Sequence, residues 1–249
     1  MASLAIPMLL PRCAKAETSA VAASYSDRRL HARAGQTSAS PIRPTPRPQR
    51  LGIGKQRDGF FYVPAQKDSA RRASALLYLH GATGSGGHAI ERLLDHANRT
   101  GTILIAPDSR AQTWGVVLGD EAEDTAFIDS ALEKIFESYA IDPHRISISG
   151  FSDGASAALS TGLVNGDLFS GIAAFSPGFV STASVPSGRP KIYISHGEND
   201  SILPVERCGR RIARELKSLG YTIQYHEFEG EHEVPPEIRD EGLQWVLGS

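Results

Sequence analysis

Cysteine is almost missing from this chain. Cys13 and Cys208 are the only two in 249 residues, too few for a disulfide framework. No Cys/His cluster has the spacing of a metal site, so no metal is expected. No run of 18 apolar residues exists, which excludes a membrane-spanning helix. A basic surplus is missing from the main body as well. Residues 51–249 hold 18 Lys or Arg against 26 Asp or Glu, and an acidic body without a basic stripe argues against nucleic acid as a partner. The glycine-rich stretch His80–Gly87 lacks the lysine of a phosphate-binding loop, and its G-x-x-G-x-G order is not the dinucleotide fingerprint.

The basic residues gather at the start. Residues 1–50 carry eight Lys or Arg against Glu17 and Asp27, and are rich in Ala, Ser and Pro. Pro41, Pro44, Pro46 and Pro48 prevent a helix there. This acid-poor, Arg- and Ser-rich composition predicts a disordered extension that is an organelle transit peptide, with a plastid favoured over a mitochondrion. A secretory signal over Leu4–Leu10 is a weaker fit, because Pro7 interrupts it and no basic residue precedes it. Removal of the extension would leave Cys208 alone.

Residues 51–249 are long enough for one domain with a sizeable core. Strands are predicted at Phe60–Val63, Ala75–Leu79, Thr102–Ala106, Ile172–Ser176, Ile192–His196 and Tyr221–Phe228. Helical spacing marks His88–Thr100, Ala122–Tyr139, Leu203–Leu219 and Pro235–Leu247. The apolar run Ala75–Leu79 reads as a strand covered on both faces. Alternating strands and helices imply an α/β domain with a mostly parallel central sheet and helices on both sides. Only about 14 residues separate the strand ending at Ser176 from the one starting near Lys191, which leaves no room for a cap domain.

Ser152 is the centre of the pattern. Ile146 and Ile148 alternate with Ser147 and Ser149 as a strand; Gly150-Phe151-Ser152-Asp153-Gly154 follows, and then a small-residue helix. G-x-S-x-G between a strand and a helix is a nucleophile elbow, a strained turn that lifts the serine hydroxyl clear of the backbone. A serine hydroxyl needs a base, and the base needs an acid to orient it. The matching chain order is serine, acid, histidine. Asp200, in His196-Gly197-Glu198-Asn199-Asp200, and His232 both follow predicted strands, so they are assigned as acid and base. Glu198 stays a rival acid. His226 is a rival base but lies within a strand pattern, and His196 is expected to shape the Asp200 loop. The oxyanion of an acyl-transfer intermediate needs two amide donors, assigned to Ala82 and Asp153. Trp114, Phe151 and Phe179 are expected to line the substrate pocket.

From about Leu76 onward the chain resembles a serine esterase of the α/β-hydrolase superfamily, in its lidless carboxylesterase/phospholipase and polyhydroxybutyrate-depolymerase-like group. The carrying segments are His80-Gly81, Asp142-Pro143 with Arg145-Ile146, Gly150–Gly154, Phe169-Ser170-Gly171-Ile172-Ala173, His196-Gly197 with Asp200, and His232. The resemblance implies hydrolysis of a small-molecule ester or thioester through an acyl-enzyme, without metal or cofactor. Two positions depart from the group's pattern. Asp153 stands where Gln, Asn, His or Gly is usual, and Glu231 stands where Gly usually precedes the histidine.

Overall fold

A computed structural model describes residues 28–35, 43–65, 71–181 and 185–248. One eight-stranded sheet runs through it, in the order β1-β2-β4-β3-β5-β6-β7-β8. Its strands are β1 (Gln49–Arg50), β2 (Gly59–Tyr62), β3 (Ala73–Leu79), β4 (Ile103–Pro107), β5 (Ile141–Phe151), β6 (Gly171–Phe175), β7 (Lys191–Gly197) and β8 (Ile223–Phe228). Only β1 with β2 and β2 with β4 pair antiparallel; every other neighbour is parallel.

The period of two sorts the strand side chains onto two faces. Leu77 and Leu79 of β3, Ile103 and Ile105 of β4, and Ile192 and Ile194 of β7 belong to one core. Leu76, Tyr78, Leu104, Ala106 and Tyr193 belong to the other. The first core is closed by α4 (Ala122–Ser138), α5 (Asp153–Val164) and α6 (Gly209–Ser218). The second is closed by α1 (Gly86–Glu91), α2 (Leu94–Thr100) and α7 (Pro236–Leu247). Each fully buried Leu or Ile contributes roughly 1.5–3 kcal/mol to holding these layers. The short α3 (Gly115–Leu118) lies in the loop after β4. Between β6 and β7 the described residues form no helix, consistent with a site that has no cap.

Three expectations change. The helix expected over 88–100 is two helices: Leu93 bonds back to the Ile90 carbonyl, a tightened turn that separates α1 from α2. The helix expected from Leu203 starts at Gly209, because Pro204 opens a turn whose carbonyl takes the Arg207 and Cys208 amides. The third change concerns the boundary at residue 50.

Residues 28–35, taken from composition as part of a disordered extension, pack on the body. Leu30 and Ala32 are buried in the core. The Asn165 side chain accepts the Leu30 amide and donates to the Arg28 carbonyl, while Asp129 accepts the His31 and Ala32 amides. Arg29 and Arg33 pair with Asp167, and Arg28 pairs with Glu121. Residues 43–50 follow the sheet edge, where Thr45 and Val63 exchange hydrogen bonds and β1 joins β2. Composition missed this strap because anchoring comes from single side chains of α4 and from the α5 end, not from any periodicity of its own. Residues 1–27, with Cys13 and the stretch Leu4–Leu10, lie outside the described residues.

Candidate active site

β5 delivers its last residue, Phe151, to the top of the sheet, and α5 begins at Asp153. Ser152 between them has φ 57° and ψ −122°, a region that a side-chain-bearing residue enters only under constraint. The constraint is close packing. A Cβ on Gly150 would lie 2.2 Å from the Gly154 carbonyl oxygen, and one on Gly154 would lie 2.1 Å from the Leu79 carbonyl oxygen. Glycine at both positions is therefore what lets β3, the turn and α5 approach one another.

His232 reaches this serine from the loop after β8. Its Nε2 lies 2.8 Å from the Ser152 hydroxyl, and its Nδ1 lies 2.7 Å from Asp200 Oδ2. Since Nδ1 faces a carboxylate, the neutral ring carries its proton there and turns a lone pair to Ser152. The other Asp200 oxygen accepts the Ile202 and Leu203 amides. Burial alone pushes the Asp200 pKa up, but the Leu203 amide and His232 outweigh it and hold the carboxyl below its ordinary value. Phe151 stacks on the His232 ring at 4.8 Å.

His196 backs the carboxylate. Its Nε2 lies 2.6 Å from the Leu203 carbonyl and 3.2 Å from Asp200 Oδ2. This buried ring thus shapes the Asp200 loop, as its position after β7 suggests. Glu198 is exposed, and His226 lies on β8 paired with Glu241 at 3.4 Å. Neither rival comes to Ser152.

The loop after β3 lies against the serine. A Cβ on Gly81 would stand 3.4 Å from the Ser152 Cβ. The Ala82 amide has no protein acceptor among the described residues, whereas the next two amides, of Thr83 and Gly84, donate to the Gln112 and Gly81 carbonyls. Asp153 is the first residue of α5, so its amide has no intrahelical acceptor. Both amides expected to hold an oxyanion are thus left without an acceptor in the protein. The unusual Asp153 carboxylate accepts a hydrogen bond from Thr113 at 2.6 Å.

Trp114 does not line a pocket. It is 1% exposed, its Nε1–H donates to the His80 carbonyl at 2.7 Å, and it supports the loop from beneath. Phe151 lines two cavities beside the serine, of about 270 and 370 Å³. Phe179, on the loop after β6, lines neither of them. Sequence reasoning also missed the work of the His80 ring. Its Nε2 accepts the Ser109 amide at 3.0 Å, so the proton sits on Nδ1, which faces the Gly81 carbonyl at 2.7 Å. Among the described residues no group of His, Cys, Asp and Glu is arranged to hold a metal ion.

Residues 121–241 match the phospholipase/carboxylesterase family model. Acyl-protein thioesterase 1 of Gibberella zeae is 32% identical over 110 residues, covering 41% of this chain and 46% of that protein. The chain therefore spans about half the length of this curated relative. Esterase PE8 superposes with a TM-score of 0.61 at 23% identity, covering 76% of this chain and 96% of that one. The S-formylglutathione hydrolase of Staphylococcus aureus gives 0.64 at 13% identity, covering 86% and 100%. The chain has the α/β-hydrolase fold, and its residues 121–241 match the phospholipase/carboxylesterase family model.

Proposed function

We propose that this protein is a serine hydrolase that cleaves a small to medium carboxylic ester or thioester through an acyl-enzyme. The observation that carries the reading is the His232 imidazole bridging Asp200 and Ser152 at 2.7 and 2.8 Å. In the first half-reaction His232 Nε2 takes the hydroxyl proton as Ser152 Oγ attacks the ester carbonyl. The oxyanion is held by the Ala82 and Asp153 amides, and Asp200 stabilises the imidazolium. Collapse breaks the bond to the leaving oxygen or sulfur, which takes the proton from His232. Water, deprotonated by the same ring, then releases the acid and restores Ser152. Thioesters enter because the relative from Gibberella zeae is named as an acyl-protein thioesterase.

The test is hydrolysis of p-nitrophenyl acetate together with labelling by a fluorophosphonate. Both are expected of the wild type, and both are expected to vanish in Ser152→Ala while the circular dichroism spectrum is kept. Undiminished turnover by that variant overturns the assignment. We further propose that the residues preceding the strap are a plastid transit peptide, on the strength of their Ala- and Ser-rich composition, with Arg12 and Lys15 as the basic residues that fall among them.

A further inference from the structure

The larger cavity beside His232 is lined by two arginines that the mechanism above does not use. Arg92 stands at the C-terminal end of α1 and Arg239 in the first turn of α7. Both line the 370 Å³ cavity with Tyr78, Phe151, His232 and Glu233. Arg92, Tyr78 and Phe151 also line the adjoining 270 Å³ cavity, which reaches Ala82. The two cavities share Tyr78, Arg92 and Phe151 as walls; one reaches the oxyanion loop and the other the His232 loop.

The charge in this space is poorly compensated. Arg92 has no ion pair among the described residues. The Arg239 side chain is 15% exposed, and its Nε is buried with no hydrogen-bond acceptor. Its nearest carboxylate, Asp240, is 3.5 Å away and also pairs with Arg99. Glu233, the carboxylate on the lining, accepts its own loop's Glu231 amide at 3.4 Å. Tyr78, 8% exposed, lines the same cavity as both arginines. Burial pushes its pKa up to about 12, although both Arg239 and Arg92 act to lower it, so the hydroxyl keeps its proton at neutral pH. Two guanidinium groups and a neutral hydroxyl are the donors that carboxylate and phosphate oxygens accept from. A buried guanidinium without an acceptor is costly unless something supplies one.

We propose that Arg92, Arg239 and Tyr78 form an anion-binding subsite, and that the preferred substrate is an ester or thioester whose leaving half bears a carboxylate or phosphate. This rests on the esterase reading of Ser152. The leaving half is chosen because its departing atom must take the proton of His232, and His232 is itself a wall of this cavity.

Binding to the Ser152→Ala protein separates the two readings, because no turnover is needed. Calorimetry at low ionic strength compares 4-acetoxybenzoate with its uncharged methyl ester, and 4-acetoxyphenyl phosphate shows which anion fits better. The expected result is about tenfold tighter binding of an anionic ester, the size of one charge-assisted hydrogen bond, with the preference weakening in high salt. It should fall toward one in Arg239→Gln, and in Arg92→Gln, whose side chain is exposed and whose replacement tests the idea if Arg239→Gln folds poorly. Equal binding of charged and neutral esters, or a preference that survives both substitutions, overturns the subsite. If the preference is present but the wild type hydrolyses none of these esters, the subsite stands and the esterase reading falls.

Discussion

The carbonyl of Gly81 is fixed by the ring of His80, 2.7 Å from Nδ1. A peptide group is planar and trans, so fixing this carbonyl also fixes the opposite direction of the next N–H, that of Ala82. Ser109 completes the hold by donating its amide to the other ring nitrogen at 3.0 Å. His80 is therefore a positioning residue for the oxyanion donor.

Replacing His80 tests that role. His80→Leu keeps the bulk but removes both hydrogen bonds, and kcat is expected to fall roughly 10²-fold, the usual cost of a lost oxyanion donor. KM should change little, since the donor acts mainly on the transition state. His80→Asn can still donate to the Gly81 carbonyl and should recover part of the loss. Equal damage by both variants, with KM rising in step, would reassign His80 to packing alone.

Burial pushes the pKa of His80, His96 and His196 below the ordinary histidine value. The unfolded chain then takes up protons near pH 6.5 that the folded chain refuses, so stability declines as pH drops below that point. Asp200 acts lower in the range: its depressed pKa stabilises the fold above the unfolded carboxyl value, and that contribution is lost as pH falls through the folded one. Urea midpoints measured from pH 7 to pH 5 are expected to decrease. His96→Gln, at a buried position of α2 outside the catalytic residues, should flatten the decline, and an unchanged slope would remove His96 from the account.

The extent to which the chemistry was legible from the chain follows from how local each signal is. The elbow turn needs its serine and glycines within five residues, so Gly150 and Gly154 announce it. Asp200 and His232 were legible because each directly follows a strand, and the parallel sheet sends such loops to one rim. Trp114 was misplaced because an aromatic in a glycine-bordered loop looks the same whether it faces substrate or, as here, bonds to the His80 carbonyl from below. Arg92 and Arg239 were illegible: they sit 147 positions apart on unrelated helices, and only the folded sheet makes them neighbours.

The strap makes a prediction about processing. If the leading segment is a transit peptide, the mature protein should begin at or before Arg28, because later cleavage removes Arg28 and Leu30 and leaves their partners Glu121 and Asn165 without them. N-terminal sequencing of the protein recovered from its native source checks this; a start at Met1 sinks the transit peptide, and a start beyond Arg33 sinks the strap. In the purified protein Leu30→Ala should cost about 2 kcal/mol as a large-to-small core change, a fall of several degrees in Tm. Arg33→Ala, at an exposed ion pair, should be nearly silent.

Ser152 itself stores strain that its chemistry requires. Its φ of 57° and ψ of −122° suit glycine far better than any residue with a Cβ, and such conformations cost on the order of 1–3 kcal/mol. Ser152→Gly relieves the strain, whereas Ser152→Ala removes the hydroxyl and keeps the Cβ. Both are expected to be inactive, but only the glycine variant should melt above the wild type, by roughly 2–4 °C for each kcal/mol recovered in a domain of this size. Glycine also gains more freedom than serine in the unfolded chain, which offsets part of the benefit. The useful comparison is therefore Ser152→Gly against Ser152→Ala under identical conditions. A glycine variant that melts no higher than the alanine variant means that the surrounding glycines, Gly150 and Gly154, already let the turn adopt this geometry without cost to Ser152.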